Sequence, residues 1–543
     1  MKYLIQLILV SGVLNGFAQP ATFSREDSLL GSNTAYRNWW DVRYYDISVM
    51  PDLMAKTISG IVSISYQVLA STAMPEMQID LQEPLVIDSV RYDGLLLKGM
   101  RHENNRWMLA LQAQEKGAEH RLKVWYHGKP KVARNPPWDG GFVWQKDSLG
   151  NPWVSVACQG AGASVWFPCK ELQADEPDRG ARLAITVPDT LNAIGNGRLV
   201  SAVAQAGRAT TYTWEVLNPI NAYDIIPYIG KYKLLRDSVQ GEKGILHTDY
   251  WVLGYHENKV ASHLKPNVIK TIACFEHWFG PYPFYEDSYK LVEAPYLGME
   301  HQSSVAYGNH FLNGYLGRDL SQTDWGLKWD FIVVHESGHE WFGNSVTAAD
   351  VADNWIHEGF TSYSEVLFTE CEFGKEAGND YCEGVRKTIA NDVPLIGPYG
   401  VRREGSADIY NKGSNLLHTI RQLVNNDEQF RLLLRDINAQ FYHKVVTTAE
   451  LEAFIIAKTG LDLRSVFDQY LRTTKIPVLQ YKLNKGKLSF RYANCVSGFN
   501  MPVKITVGKE LLIHPTTDWR SIQVNPKVKR ITLDRNVYVD LLK

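Results

Sequence analysis

Between about Trp39 and Tyr232 apolar and polar positions alternate in strand fashion. In GIVSISYQV, Val62, Ile64, Tyr66 and Val68 fall on one face while Ser63, Ser65 and Gln67 fall on the other, as a half-buried strand requires. Similar short runs recur between turn signals such as Asp93-Gly94 and Gly195-Asn196-Gly197, which predicts an antiparallel β domain. Around Tyr250 the period changes. NVIKTIACFEHWFG spaces Ile269, Ile272, Ala273 and Phe275 to Phe279 as a helical stripe, and GPYPF ends it. Further helical segments follow: one carrying His335, one over NLLHTIRQLVNNDEQFRLLLRDINAQF, and TAELEAFIIAKTG, where Thr448 and Glu450 to Glu452 read as an N-cap region. After Lys475-Ile476-Pro477 the alternation returns in KLSFRYANC and VKRITLDRNVYVDLL. The expected architecture is multidomain α+β, with a β domain over 19–235, an α-rich domain over 236–476 and a small β domain over 477–543.

A chain of 543 residues is too long for one hydrophobic core, so a site between domains is available to it. With 45% hydrophobic and 21% charged residues the composition is that of an ordinary globular protein. The net charge of −2 leaves no electrostatic footprint for nucleic acid, and the basic stretch Lys527 to Arg530, interrupted by Val528, reads as a solvated strand face. Met1-Lys2, the apolar YLIQLILVSGVL and the small residues Gly16 and Ala18 predict a signal peptide over 1–18, hence an exported mature chain, periplasmic or secreted. That apolar stretch is shorter than the ~20 residues a bilayer span needs, and no later segment is long and apolar enough to span, so no stable membrane insertion is expected. Cysteines at 158, 169, 274, 371, 382 and 495 do not have the spacing of a zinc ribbon. Export permits a disulfide, with Cys371 and Cys382 as near neighbours in sequence.

The chemistry concentrates in FIVVHESGHEWFGN, which starts at Phe331. Positions i and i+4 of a helix share a face, so His335 and His339 can direct ring nitrogens at one ion, with Glu336 turned aside but within reach of a water beside it. Polar punctuation on a helix is the bland alternative. A third ligand is at hand in NWIHEGFTSYSE, where Glu358 follows His339 after an interval of eighteen residues. Two histidines and one carboxylate leave a tetrahedral position open, which is the arrangement of a catalytic zinc, one per chain.

H-E-x-x-H followed by eighteen residues and a glutamate resembles the signature of the gluzincin aminopeptidases, the family of aminopeptidase N and leukotriene hydrolase. The chain is also similar to that family, as a bacterial-type exported member, in HEWFGN, in WIHEGFTSY where the family usually has W-L-N-E-G-F-A, and in YNKG at Tyr410 to Gly413. WDVRYYDISV, WFPC, FGPYPF, GLDLRSVFDQYL and IPVLQY extend the similarity through most of the mature chain. The resemblance implies a thermolysin-like catalytic domain, a C-terminal β-sandwich and a cleft more open than in relatives that carry a large helical domain. It further implies that Glu336 is the general base, that Tyr410 stabilises the oxyanion, and that Glu365 orients a ligand.

An exopeptidase must bind the free α-ammonium of its peptide. Gly298-Met299-Glu300 resembles the family element in which an edge strand pairs with substrate backbone and the glutamate binds the amine, although Leu297 and His301 replace the usual Gly and Asn beside it. Gln159, nine residues before Pro168, matches the family glutamine that assists. GAGAS lacks the third glycine, the lysine and the following helix of a phosphate loop, and it is not read as a serine elbow either. The family's P-C-x-D-E-P element is stretched here to PCKELQADEP, an expected alteration of the cleft. The function implied is removal of N-terminal residues from peptides with a free N-terminus. A bifunctional epoxide hydrolase and aminopeptidase, or a peptide-binding protein without catalysis, are the alternatives.

Overall fold

A computed structural model describes residues 23–543. The signal-peptide expectation over 1–18 lies outside the described residues. The N-terminal part is built on an eight-stranded sheet whose centre pairs Trp40–Asp52 with Thr57–Val68 and Ala181–Pro188. Pairing is antiparallel except that Trp40–Asp52 and Ala181–Pro188 run parallel, which makes the sheet mixed. As expected, Val62, Ile64, Tyr66 and Val68 are all buried, because a strand with one wet face must put every second side chain into the core. Asp93 and Gly94 both have positive φ, the backbone twist a two-residue hairpin needs. A four-stranded sheet containing Gly141–Lys146 and Pro152–Ala157 shares the same apolar core.

A five-stranded sheet follows, in the order Tyr232–Gly241, Gly244–Leu253, Tyr289–Glu293, Val305–Tyr307 and Gly298–Met299. Gly298–Met299 is thereby an edge strand, paired on one side only. The helices Lys265–Phe279, Phe331–Gly338, Trp355–Phe373, Lys375–Arg386 and Asn411–Val424 share a second core with the C-terminal strands, which form sheets of four and three strands. No helix among the described residues is long and apolar enough to cross a membrane.

The structure corrects several local expectations. The long apolar run after Asn415 is two helices, Asn411–Val424 and Asp427–Gln440, because Asn425 takes a left-handed conformation and Asn426 caps the second by accepting from Gln429 N. The TAELEAFIIAKTG helix is capped one residue earlier than expected, by Thr447 in a reciprocal capping box with Glu450. Ile269 is exposed, and the buried stripe of its helix runs through Val268, Ile272, Phe275 and Phe279. Lys527, Lys529 and Arg530 carry exposed charges as expected, but in a turn at Pro526–Lys527, where Asn525 Oδ1 accepts from Lys527 N, and the irregular segment after it, not on a strand. The disulfide joins Cys274 to Cys371 and not Cys371 to Cys382. Cys371 lies on the helix that packs against Lys265–Phe279, whereas Cys382 is buried on the next helix with its Sγ 3.6 Å from Asn415 Oδ1.

Candidate metal centre and cleft

The helix Phe331–Gly338 is fixed at its start by Asp330, whose Oδ1 accepts from Ile332 N and Val333 N. Every residue of it is buried, which explains the unbroken apolar run before His335. His339 stands just past the last helical residue but keeps helical dihedrals, φ −64° and ψ −21°, so the one-turn spacing from His335 is preserved. Gly338 permits close packing on the next helix, since a Cβ there would lie 2.6 Å from Ser364 Oγ.

Both imidazoles are oriented through Nδ1. His335 Nδ1 donates to Glu365 Oε1 at 2.7 Å, and Tyr381 Oη donates to the other oxygen of Glu365 at 2.7 Å. His339 Nδ1 donates to the Phe342 carbonyl at 3.0 Å. Each Nε2 is thereby left with its lone pair facing Glu358 Oε2, at 3.6 Å from His335 and 3.4 Å from His339. That oxygen is buried and has no hydrogen-bond partner. Ligand atoms of His335, His339 and Glu358 all lie within 4.8 Å of one another, and an orphaned carboxylate oxygen among two imidazole lone pairs is a donor set that fits a divalent metal ion. Without an ion, burial would raise the Glu358 carboxyl, but the two imidazoles hold it well below the usual range. Burial pushes the Glu336 carboxyl up to about 7, against the pull of the same imidazoles.

The remaining residues expected from the sequence surround this cluster. Glu300, Glu336 and His339 also have ligand atoms within 4.8 Å of one another. Asn344 Nδ2 donates to the Glu300 carbonyl at 2.8 Å, while Tyr223 Oη donates to Glu300 Oε1 at 3.2 Å. Gly298 packs directly on Glu336, for a Cβ there would come 2.5 Å from Glu336 Oε1. Tyr410 stacks on His335 with ring centroids 5.9 Å apart and is 38% exposed. It is brought there by a backbone contact between two helices: a Cβ on Gly413 would lie 2.8 Å from Gly359 Cα, and one on Gly359 3.1 Å from Gly413 Cα. These glycines immediately follow the YNK and HE of their motifs, which is why neither position can carry a side chain at this spacing.

His335, Glu336, His339, Glu358, Glu365, Gly298, Glu300 and Tyr410, with Gln159 and Met299, line a single cleft of about 550 Å³. Trp138, Tyr315 and Glu404 line it too, and nothing in their sequence surroundings distinguished them beforehand. The two histidines that replace family asparagines are structural. His357 Nε2 accepts from Ala348 N, and His301 Nδ1 pairs with Tyr228 Oη at 2.6 Å, burial keeping both rings neutral. The long segment after Cys169 does not line the cleft. It reaches the helical part, where Gln173 Nε2 donates to Ala348 O and Asn354 Oδ1.

Comparison with known proteins agrees with this geometry. Residues 266–470 match the peptidase family M1 domain. Rice aminopeptidase M1-B is 23% identical over 472 residues, covering 83% of this chain and 52% of that protein. Leukotriene A-4 hydrolase of Xenopus laevis is 25% identical over 361 residues, covering 61% and 54%. The chain thus spans about half the length of the curated relatives it matches. Among solved structures, a mutant M1 zinc metallopeptidase of Deinococcus radiodurans bound to a Tyr-Ser-Ala substrate has the same fold, with TM-score 0.66 at 20% identity, covering 83% of this chain and 98% of that one. The matched family domain spans the helices that carry His335, Glu358 and Tyr410, so over residues 266–470 the chain is similar to the peptidase family M1 domain, and the surrounding fold is shared with an M1 zinc metallopeptidase.

Proposed function

We propose that the protein is an exported zinc-dependent aminopeptidase. The observation that carries this reading is the position of Glu300, a buried carboxylate beside the candidate metal cluster at the end of an edge strand paired on one side only, where an α-ammonium would find its counter-charge. His335, His339 and Glu358 would hold the zinc, which would supply Lewis acidity toward a carbonyl oxygen and toward water. Glu336 takes the proton of the attacking water and hands it to the departing amine as the C–N bond breaks. Tyr410 Oη donates to the carbonyl oxygen as negative charge grows there. Glu300 and Gln159 hold the substrate ammonium, and the backbone of Gly298 and Met299 pairs with the peptide, which limits cleavage to the first bond. The N-terminal sequence and the Cys274–Cys371 disulfide both support an oxidising, exported location.

The test is a screen of fluorogenic aminoacyl amides on the purified protein, with and without chelator, beside the same amides N-acetylated. Chelator-sensitive cleavage of free-amine substrates alone is expected. Efficient cleavage of the acetylated ones would leave an endopeptidase, and activity that survives complete metal removal would exclude the zinc mechanism.

A further inference from the structure

Arg402 lies far along the chain from Gln159, yet its guanidinium reaches the loop that carries it. Nη2 donates to the Gln159 carbonyl at 2.6 Å, Nε to the Gly160 carbonyl at 3.0 Å, and Nη1 to Glu171 Oε1 at 2.8 Å. Glu171 belongs to the stretched segment after Cys169, and its other oxygen accepts from Ser164 N at 2.7 Å, closing the far end of the same loop. Gly162, with φ 93°, lies against that carboxylate, where a Cβ would come within 2.4 Å of it. Glu171 is held from behind, its N–H donating to Asp80 Oδ2 and its carbonyl accepting from Arg37 Nη1, while Arg37 and Asp80 form a buried ion pair.

The other end of the clamp is equally fixed. Gly400 N donates to Asp350 Oδ2, Tyr399 Oη to Asp353 Oδ1, and Asn354 Nδ2 to Glu404 Oε1. Arg402 is therefore anchored on the turn that launches the Glu358 helix, and it joins that turn to a loop whose Gln159 side chain faces the cleft with Nε2 unpartnered. An arginine fork spanning two carbonyls and a carboxylate, with the pair nearly buried, fixes position and orientation together, which a single point charge would not do.

We propose that Arg402, held by Glu171, is a positioning residue that presents Gln159 to the substrate ammonium at a set distance from Glu358 and Tyr410. This rests on the aminopeptidase reading of Gln159. In that role Arg402→Ala raises KM for aminoacyl amides about tenfold while kcat changes less than about threefold, because only binding of the ammonium is disturbed. Gln159→Ala has a similar effect, and the double variant is no worse than either single one, since both remove the same contact. Amide hydrogen exchange at Gly162 and Ser164 accelerates in Arg402→Ala. Glu171→Gln, which keeps the side-chain shape, shifts KM and exchange in the same direction by less, and it carries the test should Arg402→Ala fail to fold. Additive KM effects of Arg402→Ala and Gln159→Ala, or a kcat loss at unchanged KM, would overturn the proposal. If the native protein cleaves no free-amine substrate, the aminopeptidase reading falls by itself and hydrogen exchange decides the clamp: faster exchange upholds it, and unchanged exchange overturns it.

Discussion

In the proposed mechanism single side chains divide into those that hold the metal and those that act beside it, and substitution separates them. Glu336→Gln removes the proposed base but none of the proposed donor atoms, so zinc content should stay at one equivalent while kcat falls by about two orders of magnitude or more. Metal analysis alongside turnover checks this, and retained activity would exclude the role. In its proposed role Tyr410 offers one hydroxyl whose bond strengthens as charge develops, so in Tyr410→Phe kcat should fall about a hundredfold with KM little altered. Glu365 acts one bond further out. Its Oε1 fixes the His335 ring, so Glu365→Ala should weaken zinc affinity about 10- to 100-fold, read by competition with a chelator, and it also strips Tyr381 of its acceptor. Unchanged affinity would make Glu365 a packing residue.

At the level of elements, the site depends on how closely three helices approach. The helix bearing His335 and His339 meets the Glu358 helix through Gly338, and the Glu358 helix meets the one after Tyr410 through Gly359 and Gly413. No flexible side chain intervenes at the second contact, so Gly413→Ala must push backbone against backbone. The expected cost is about 1–3 kcal/mol, seen as a lowered Tm, with activity reduced further than stability because Tyr410 moves away from His335. A thermal scan of the variant showing native stability and full turnover would mean that the helices part without cost. The edge strand is set the same way, since Gly298 leaves room for Glu336.

Across the whole molecule, the two cores meet near Glu176. Its Oε1 accepts from Asn221 Nδ2, and burial pushes the carboxyl up to about 7, with the Thr347 hydroxyl of the helical part opposing and Asp175 adding to the rise. A folded pKa above the unfolded value means that the native chain holds the extra proton. The stabilisation is complete below the unfolded pKa, near 4.5, and is lost as pH rises through about 7. Over that window the loss is on the order of 3 kcal/mol. Glu176→Gln, neutral at every pH, should therefore gain stability relative to the native protein between pH 5 and 8. Parallel Tm curves for the two proteins over that range would exclude Glu176 as the source.

Sequence by itself determined the order of β, helical and β parts, the buried faces of strands such as Thr57–Val68, and the candidate metal-ligand triad that the structure brings together. These are local or nearly so: periodicity is written into consecutive residues, and His335, His339 and Glu358 lie within two neighbouring helices. Resemblance added Glu300, Tyr410 and Gln159 as candidates, but only the tertiary structure brought them to one cleft. It did so through an edge strand, a glycine crossing and a loop whose clamp comes from 243 residues away. Such contacts leave no period in the chain. The same reason hid the Cys274–Cys371 pairing, which follows from two helices packing and not from nearness in sequence, and it hid Arg402, an exposed-type residue whose partners are fixed by where two cores meet.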